Sequence, residues 1–443
     1  MSSYIVKKTS GNTDRFRRDR FGMFIHFGLY SLPSRGEWVK THENMTDEYY
    51  DRYFRHFDPD LFDAREWARQ AKNAGMKYAV LTTKHHDGFC LFDTKYTDYK
   101  ITNTAFGRDL VREYADAFRA EGLRVGLYYS LIDWHHPEYT IDQRHPMKLR
   151  PDALELNKTR DMKKYCEYMR NQITELLTNY GDIDVLWFDT SFAKVKTDNP
   201  LLERLDGKNS LDWESEELTA LVRKLRPEIV LNDRAGVDFD FTTPEQVQPT
   251  SWKKDRSGNL LTWEACNTLA NSWGYNRGDK TWKSPAQLIE MLIKTVSLGG
   301  NLIMNVGPTG RGCFDPHAVK SLGTYGEWLK YCGRSIYGCT MAEPEFTAPN
   351  GCVFTQSEDG GRLYLHIFDW PFIHLTLKNI ADRVEYIQFL HDASEIKYEI
   401  AKGGGSCGSL IKEDGCKDVT LILPVEKPDI IVPTIEIFLK KPK

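Results

Sequence analysis

A (β/α)8-like TIM barrel followed by a C-terminal antiparallel β-sandwich is the fold class this sequence predicts, and three observations predict it. From about residue 20 to about residue 335, short apolar, β-branched or aromatic runs alternate with longer stretches of helical spacing, the pattern of repeated βα units. Polar residues recur where those runs finish, at His26, His85-His86, Tyr128-Tyr129, Asp189 and Asn232-Asp233-Arg234. In a parallel sheet such ends share one face, which in a (β/α)8 barrel carries the active site. After about residue 340 the texture changes to short alternating runs separated by turns, which reads as an antiparallel sandwich. The barrel is therefore placed at residues 1–340 and the sandwich at 341–443.

In chain order, strands are predicted at 21–28, 77–83, 124–130, 183–190, 229–234, 263–269 and 301–307. Helices are predicted at 64–74, 109–120, 154–180 and 285–298, stopping at Gly75, Gly122, Gly181 and Gly299-Gly300, residues suited to a left-handed C-cap. Seven clear strands suggest a barrel with one weakly written strand. Gly22 and Gly28 frame a strand without forming a glycine-rich phosphate loop, which disfavours a nucleotide-binding sheet. Tyr325 and Trp328, on the last barrel helix, read as core. In the C-terminal part, alternation marks Arg362 to Phe368, Val419 to Leu423 and Ile435 to Leu439, with a turn-rich segment at Gly403-Gly404-Gly405-Ser406. No chemistry is evident there, and buttressing the barrel is the expected role.

With 443 residues, 41% hydrophobic and 28% charged, the chain is long enough for a large core. A net charge of -4 gives no basic field, so neither nucleic acid nor a membrane surface is an expected partner. The nine cysteines are odd in number and scattered from Cys90 to Cys407 and Cys416, without CxxC or zinc spacing, which fits a reducing compartment. The N-terminus lacks the apolar core of a signal peptide, so as written a cytoplasmic protein is expected. Removal of a signal upstream would imply a periplasmic or secreted one. No cofactor or metal is called for.

The strand run Ile183 to Asp189 ends an apolar segment in an aromatic-flanked carboxylate. Alone, such an Asp is usually a cap. Here other strand ends and loops add His26, His85, His86, Tyr128, Arg234 and the carboxylates Glu37, Glu245 and Glu264. Two carboxylates flanking a bond, among aromatic and hydrogen-bonding groups, are what glycoside hydrolysis needs.

Several separated motifs, Gly22-Met23-Phe24-Ile25-His26-Phe27-Gly28, Gly36-Glu37-Trp38, Thr83-Lys84-His85-His86-Asp87-Gly88-Phe89, Leu186-Trp187-Phe188-Asp189, Asn232-Asp233-Arg234, Ser272-Trp273-Gly274-Tyr275 and Gly300-Asn301-Leu302-Ile303-Met304-Asn305-Val306-Gly307-Pro308, occur together in this order. In them the sequence resembles the α-L-fucosidases of glycoside hydrolase family 29. The resemblance implies a barrel plus β-sandwich, retention through a covalent fucosyl-enzyme, and a fucosylated oligosaccharide or glycoconjugate as substrate. It assigns the nucleophile to Asp189, expected to be largely ionised at neutral pH unless burial raises its pKa.

For the acid/base, Glu245 in the loop after Asn232-Asp233-Arg234 is preferred. Glu264 sits near a strand start, the wrong end of a barrel for catalysis, and its plain reading is a buried carboxylate paired with a base. Glu37 is a third option. His26, Glu37, His85, His86 and Arg234 are expected to bind sugar hydroxyls, while Trp38, Tyr128, Trp187 and Trp273 pack on the ring and its methyl. In related enzymes the position of Trp273 is often Phe, so the resemblance implies that the aromatic surface near the methyl is retained. Strand alternation sends Tyr128 and Tyr129 to opposite faces, so Tyr129 is the alternative there. Asp87 is read as a loop brace, Asp233 as orienting Arg234, and Asp133-Trp134 and His135-His136 as outer cleft or plain loop.

Rival readings are a metal-dependent barrel hydrolase using His26, His85, His86 and Asp189, a fucose-binding protein with little turnover, and an exo-glycosidase for a sugar sharing fucose's hydroxyl pattern. Against the first, adjacent His85 and His86 would point apart in an extended strand.

Overall fold

The computed structural model describes residues 4–400 and 417–440. Eight parallel strands form the first sheet: β1 (Phe21–Ile25), β2 (Tyr78–Lys84), β3 (Arg124–Ser130), β4 (Val185–Asp189), β5 (Val230–Leu231), β6 (Phe241–Thr242), β7 (Thr262–Thr268) and β8 (Asn301–Val306). Their order, β5-β4-β3-β2-β1-β8-β7-β6, is closed by a parallel bridge between Asn232 and Phe241, so the sheet wraps into a barrel. Strands β1, β2 and β8 are buried throughout, as a sheet covered on both faces requires.

The weakly written strand is β6. It has only two residues, paired with Thr262 and Trp263 of β7. Its neighbour β5 is also shorter than the predicted 229–234, because the chain turns into a 3-10 helix at Asp233–Ala235. Side chains replace the missing ladder. Asn232 accepts from the Phe188 N–H and donates to the Phe188 carbonyl, both at 2.8 Å, imitating a strand partner. Asp240 accepts from the backbone N–H groups of Leu231 at 2.7 Å and Gly11 at 2.9 Å.

Around the sheet run helices at Ala64–Asn73, Leu110–Ala120, Met162–Asn179, Ser215–Leu225, Pro285–Ser297 and Pro316–Cys332. Gly75, Gly122, Gly181 and Gly299 all take positive φ at the helix stops, where a side chain would strain the backbone. The predicted helix at 154–180 is two helices, Ala153–Asn157 and Met162–Asn179. Asp161 is the reason: it adopts extended dihedrals and caps the second helix by accepting from the Lys163 N–H. Tyr325 and Trp328 are buried in the main core.

Beyond the barrel lie β9 (Cys339–Met341), β10 (Cys352–Ser357), β11 (Arg362–Ile367), β12 (His374–Leu377), β13 (Val384–Phe389), β14 (Tyr398–Ile400), β15 (Val419–Ile422) and β16 (Thr434–Leu439). They make two antiparallel sheets, β13-β16-β11-β10-β9 and β12-β15-β14. Leu363, Leu365 and Ile437 of one sheet share an apolar core with Leu377, Val419 and Leu421 of the other. The Gly403 to Ser406 turn segment, Cys407 and Cys416 lie outside the described residues. Among the described residues, no helix is long and apolar enough to cross a membrane.

Candidate active site

A cavity of about 240 Å³ opens at the C-terminal ends of the barrel strands. The structure brings to it all eleven residues singled out from sequence: His26, Glu37, Trp38, His85, His86, Tyr128, Trp187, Asp189, Arg234, Glu245 and Trp273. A larger cavity of about 410 Å³ lies at the opposite end of the barrel, near Arg15, Asp184 and Glu228, away from these groups.

Asp189 is the last residue of β4 and sits at the centre of the polar contacts. Its Oδ2 accepts from the Tyr128 hydroxyl at 3.0 Å and its Oδ1 from Arg234 Nη1 at 3.2 Å. Burial raises its pKa to about 6, with Arg234 pulling down and Glu245 pushing up. It is therefore ionised at neutral pH, though less comfortably than a solvated Asp.

Arg234 joins two carboxylates. Its Nη2 donates to Glu245 Oε2 at 2.7 Å, and its guanidinium lies over the Trp187 ring at 5.1 Å. Asp233 orients it through an intermediary: Thr243 Oγ1 donates to Asp233 at 2.7 Å and accepts from Arg234 Nε at 2.8 Å. The side chain of Glu245 is 42% exposed against 16% for Asp189, so Glu245 faces the open side of the cavity and Asp189 its depth.

The hydrogen-bond network fixes two imidazole tautomers. Asn305 Nδ2 donates to the Trp273 carbonyl at 2.6 Å, so its Oδ1 accepts from His26 Nδ1–H at 2.6 Å. Burial lowers the His26 pKa to about 3, so the ring is neutral and offers Nε2 as an acceptor. Similarly, Ser130 Oγ donates to the Ile132 carbonyl at 2.7 Å and accepts from His86 Nδ1–H at 2.6 Å. Burial and Arg144 hold His86 neutral, leaving its bare Nε2 3.8 Å from Asp189 Oδ2. A sugar hydroxyl can donate into either of these acceptors.

Glu37 is buried, accepts from the Gly274 N–H at 2.7 Å, and has its pKa raised by burial. Tyr128 stacks with His85 at 5.7 Å and with Trp187 at 6.1 Å, forming one aromatic wall. Trp38 touches His86 at 4.7 Å, and Trp273 touches His26 at 5.2 Å. Tyr129 points the other way, donating to Gln172 at 2.7 Å, which settles the choice between the two tyrosines as wall residues.

Two expectations need correction. His85 and His86 do not point apart: β2 ends at Lys84, the two residues fall in the following turn, and their rings lie 4.0 Å from each other. Even so, among the described residues no three His, Cys, Asp or Glu side chains are grouped to hold a metal ion. Glu264 is not paired with a base. It is fully buried beneath the cavity, where it accepts from Trp187 Nε1 at 3.0 Å and from the Tyr78 hydroxyl. Burial raises its pKa to about 7.

That raised value has a consequence for stability. A carboxyl whose folded pKa lies above its unfolded value binds more protons when folded, so its contribution to stability is lost as pH rises from about 4.5 to about 7. Glu264→Gln keeps hydrogen-bonding groups for both neighbours and removes that loss. Its stability relative to wild type should therefore be more favourable at pH 8 than at pH 5, by about 2–3 kcal/mol in denaturant titrations. Glu264→Leu orphans two buried donors and should destabilise at both pH values by about 2–6 kcal/mol.

The outer residues are partly plain loop. Asp133 makes a buried ion pair with Lys84 at 3.0 Å and caps the His135 and His136 N–H groups, while His135 stacks on Tyr99 at 3.8 Å. Trp134 packs edge-on against Trp38 at 5.2 Å. Asp87 braces its loop by accepting from the Tyr50 hydroxyl at 2.8 Å and the Phe89 N–H at 3.2 Å. Sequence reasoning missed Phe24, Arg144, Thr190, Ser191 and Cys266 as lining residues. Phe24 and Cys266 follow from alternation along β1 and β7. Arg144 lies in a loop whose path no periodicity reveals.

Comparison with known proteins agrees with this geometry. The family model described as Alpha-L-fucosidase matches residues 5–334. Plasma alpha-L-fucosidase of Homo sapiens is 31% identical over 389 residues, covering 80% of this chain and 76% of the relative. The structure of alpha-L-fucosidase isoenzyme 1 from Paenibacillus thiaminolyticus superposes with a TM-score of 0.86 at 41% identity, covering 96% of this chain and 98% of the other. A Bacteroides thetaiotaomicron GH29 alpha-L-fucosidase, trapped as a covalent intermediate with 2-fluoro-fucosyl fluoride, superposes at 0.80 with 25% identity, covering 99% and 98%. By its motifs, its barrel and these matches, the chain belongs to the alpha-L-fucosidase family of glycoside hydrolases, family 29.

Proposed function

We propose that this enzyme removes terminal α-L-fucosyl residues from fucosylated oligosaccharides or glycoconjugates with retention, using Asp189 as nucleophile and Glu245 as acid/base. The observation that carries the residue roles is the pair of carboxylates joined by Arg234, one deep in the cavity and one at its open side. Retaining glycosidases place their carboxyl groups roughly 5 Å apart, whereas inverting ones leave roughly 6.5–9.5 Å for a water. A single guanidinium contacts both groups within one cavity, and retention is what the covalent intermediate trapped in the Bacteroides relative supports. The cavity volume suits one sugar ring, which supports an exo mode of action.

In the first step Asp189 attacks the anomeric carbon while Glu245 gives its proton to the leaving oxygen. In the second, Glu245 takes a proton from water, which displaces Asp189 from the fucosyl ester. The neutral His26 and His86 accept from sugar hydroxyls, and the Tyr128 and Trp187 rings face the apolar side of the sugar. The covalent intermediate trapped in the Bacteroides relative supports the two-step route.

Release of L-fucose from 4-nitrophenyl α-L-fucoside, followed by NMR, tests the proposal: α-L-fucose should form first and mutarotate afterwards. First appearance of the β-anomer, or no release at all, would contradict it. The acid limb of kcat/KM should fall near pH 6, where Asp189 protonates. Arg234→Met removes a charge that holds the Asp189 pKa down, so the limb should move upward by about 1–3 pH units.

A further inference from the structure

Arg144 belongs to the loop between β3 and the helix Ala153–Asn157, and its backbone is firmly held. Its N–H donates to Asp142 at 2.9 Å, and its carbonyl accepts from Thr41 Oγ1 at 3.1 Å. Asp142 is itself buried and bonded by the His145 N–H at 3.0 Å and the Tyr139 hydroxyl. The side chain contrasts with this. Among the described residues its guanidinium makes no hydrogen bond or close ion pair, and it packs on rings, 4.1 Å from Phe192 and 5.9 Å from Trp38.

This cation lines the cavity beside Asp189 and Glu245, yet both carboxylates are already bound by Arg234. Arg144 is half-buried, so its donors are partly withdrawn from water; Asp189, Asp142 and Glu245 favour its charge at longer range, but none of them accepts a hydrogen bond from its guanidinium. A guanidinium carries five N–H donors and no acceptor, so only acceptor oxygens can satisfy it. The nearly fully buried His26, Tyr128 and Trp187 stand on or next to strands, whereas the cavity-lining Trp38 and Arg144 come from the loops after β1 and β3. A bound leaving group must pass these loops.

We propose that Arg144 is a specificity-determining residue that hydrogen-bonds acceptor oxygens of the leaving-group sugar, with Trp38 supplying the packing surface. The inference rests on the fucosidase reading and adds the class of aglycone: a hydroxylated or carboxylated sugar is favoured over an apolar group.

The test compares wild type, Arg144→Met and Arg144→Lys on 4-nitrophenyl α-L-fucoside and on the best-cleaved member of a panel of α-L-fucosyl disaccharides. The Met variant should lose about 10- to 100-fold more kcat/KM on the disaccharide than on the aryl fucoside, mainly through KM, with Lys intermediate. Both rates come from one sample, so any unfolded fraction cancels from their ratio. Equal losses on both substrates, or none on either, would overturn the proposal. So would a wild type that cleaves the aryl fucoside but no disaccharide. A wild type inactive on the aryl fucoside as well would instead count against the fucosidase reading.

Discussion

Asp189→Ala should lower kcat on 4-nitrophenyl α-L-fucoside by roughly 10⁴-fold or more, because it removes the atom that bonds to the anomeric carbon. The loss should not come from misfolding. Among the described residues Asp189 accepts two side-chain hydrogen bonds, from Tyr128 and Arg234, and burial already disfavours its charge. Arg234 retains Glu245 as a partner in the variant. Added azide can enter the space left by the carboxylate, attack the same face of the sugar and give β-L-fucosyl azide. Kinetics with and without azide, with NMR of the product, check both statements.

Glu245→Ala should be the second-largest effect and should depend on the leaving group. On substrates whose leaving oxygen needs a proton, loss of the acid should lower kcat/KM by about 10²- to 10⁴-fold. On activated aryl fucosides the first step needs little protonation, so the fucosyl-enzyme should accumulate and azide should release it. That attack comes from the face opposite Asp189, so the product is α-L-fucosyl azide, the anomer opposite to that from Asp189→Ala. Wild-type behaviour of this variant would exclude Glu245 as the acid/base. Glu264 offers no substitute in this geometry: it is fully buried and occupied by Trp187 and Tyr78.

The barrel was legible because each long strand writes its burial into consecutive apolar residues, and because glycines with positive φ mark the helix stops. The two-residue strands β5 and β6 were not, since much of their pairing is made by Asn232 and Asp240 side chains, which look like loop residues in a sequence. Strand-end chemistry was legible for the same reason that barrels place function there: His26 and Asp189 lie at or just past strand termini, and Tyr128 lies two residues before one. Loop geometry was not. The turn after Lys84 rotates His85 and His86 together, contrary to strand alternation, and the loop that brings Arg144 to the cavity has no periodic signature. The environment of Glu264 was likewise hidden, because Tyr78 and Trp187 reach it from β2 and β4, neither of which borders β7.

Covalent trapping tests the central claim most directly. Wild-type enzyme incubated with 2-deoxy-2-fluoro-fucosyl fluoride should gain the mass of one fluorofucosyl group. Peptide mapping should place that group on the carboxylate of Asp189. A label on Glu245, Glu264 or Glu37, or turnover with inversion and no label, would contradict Asp189 as the nucleophile.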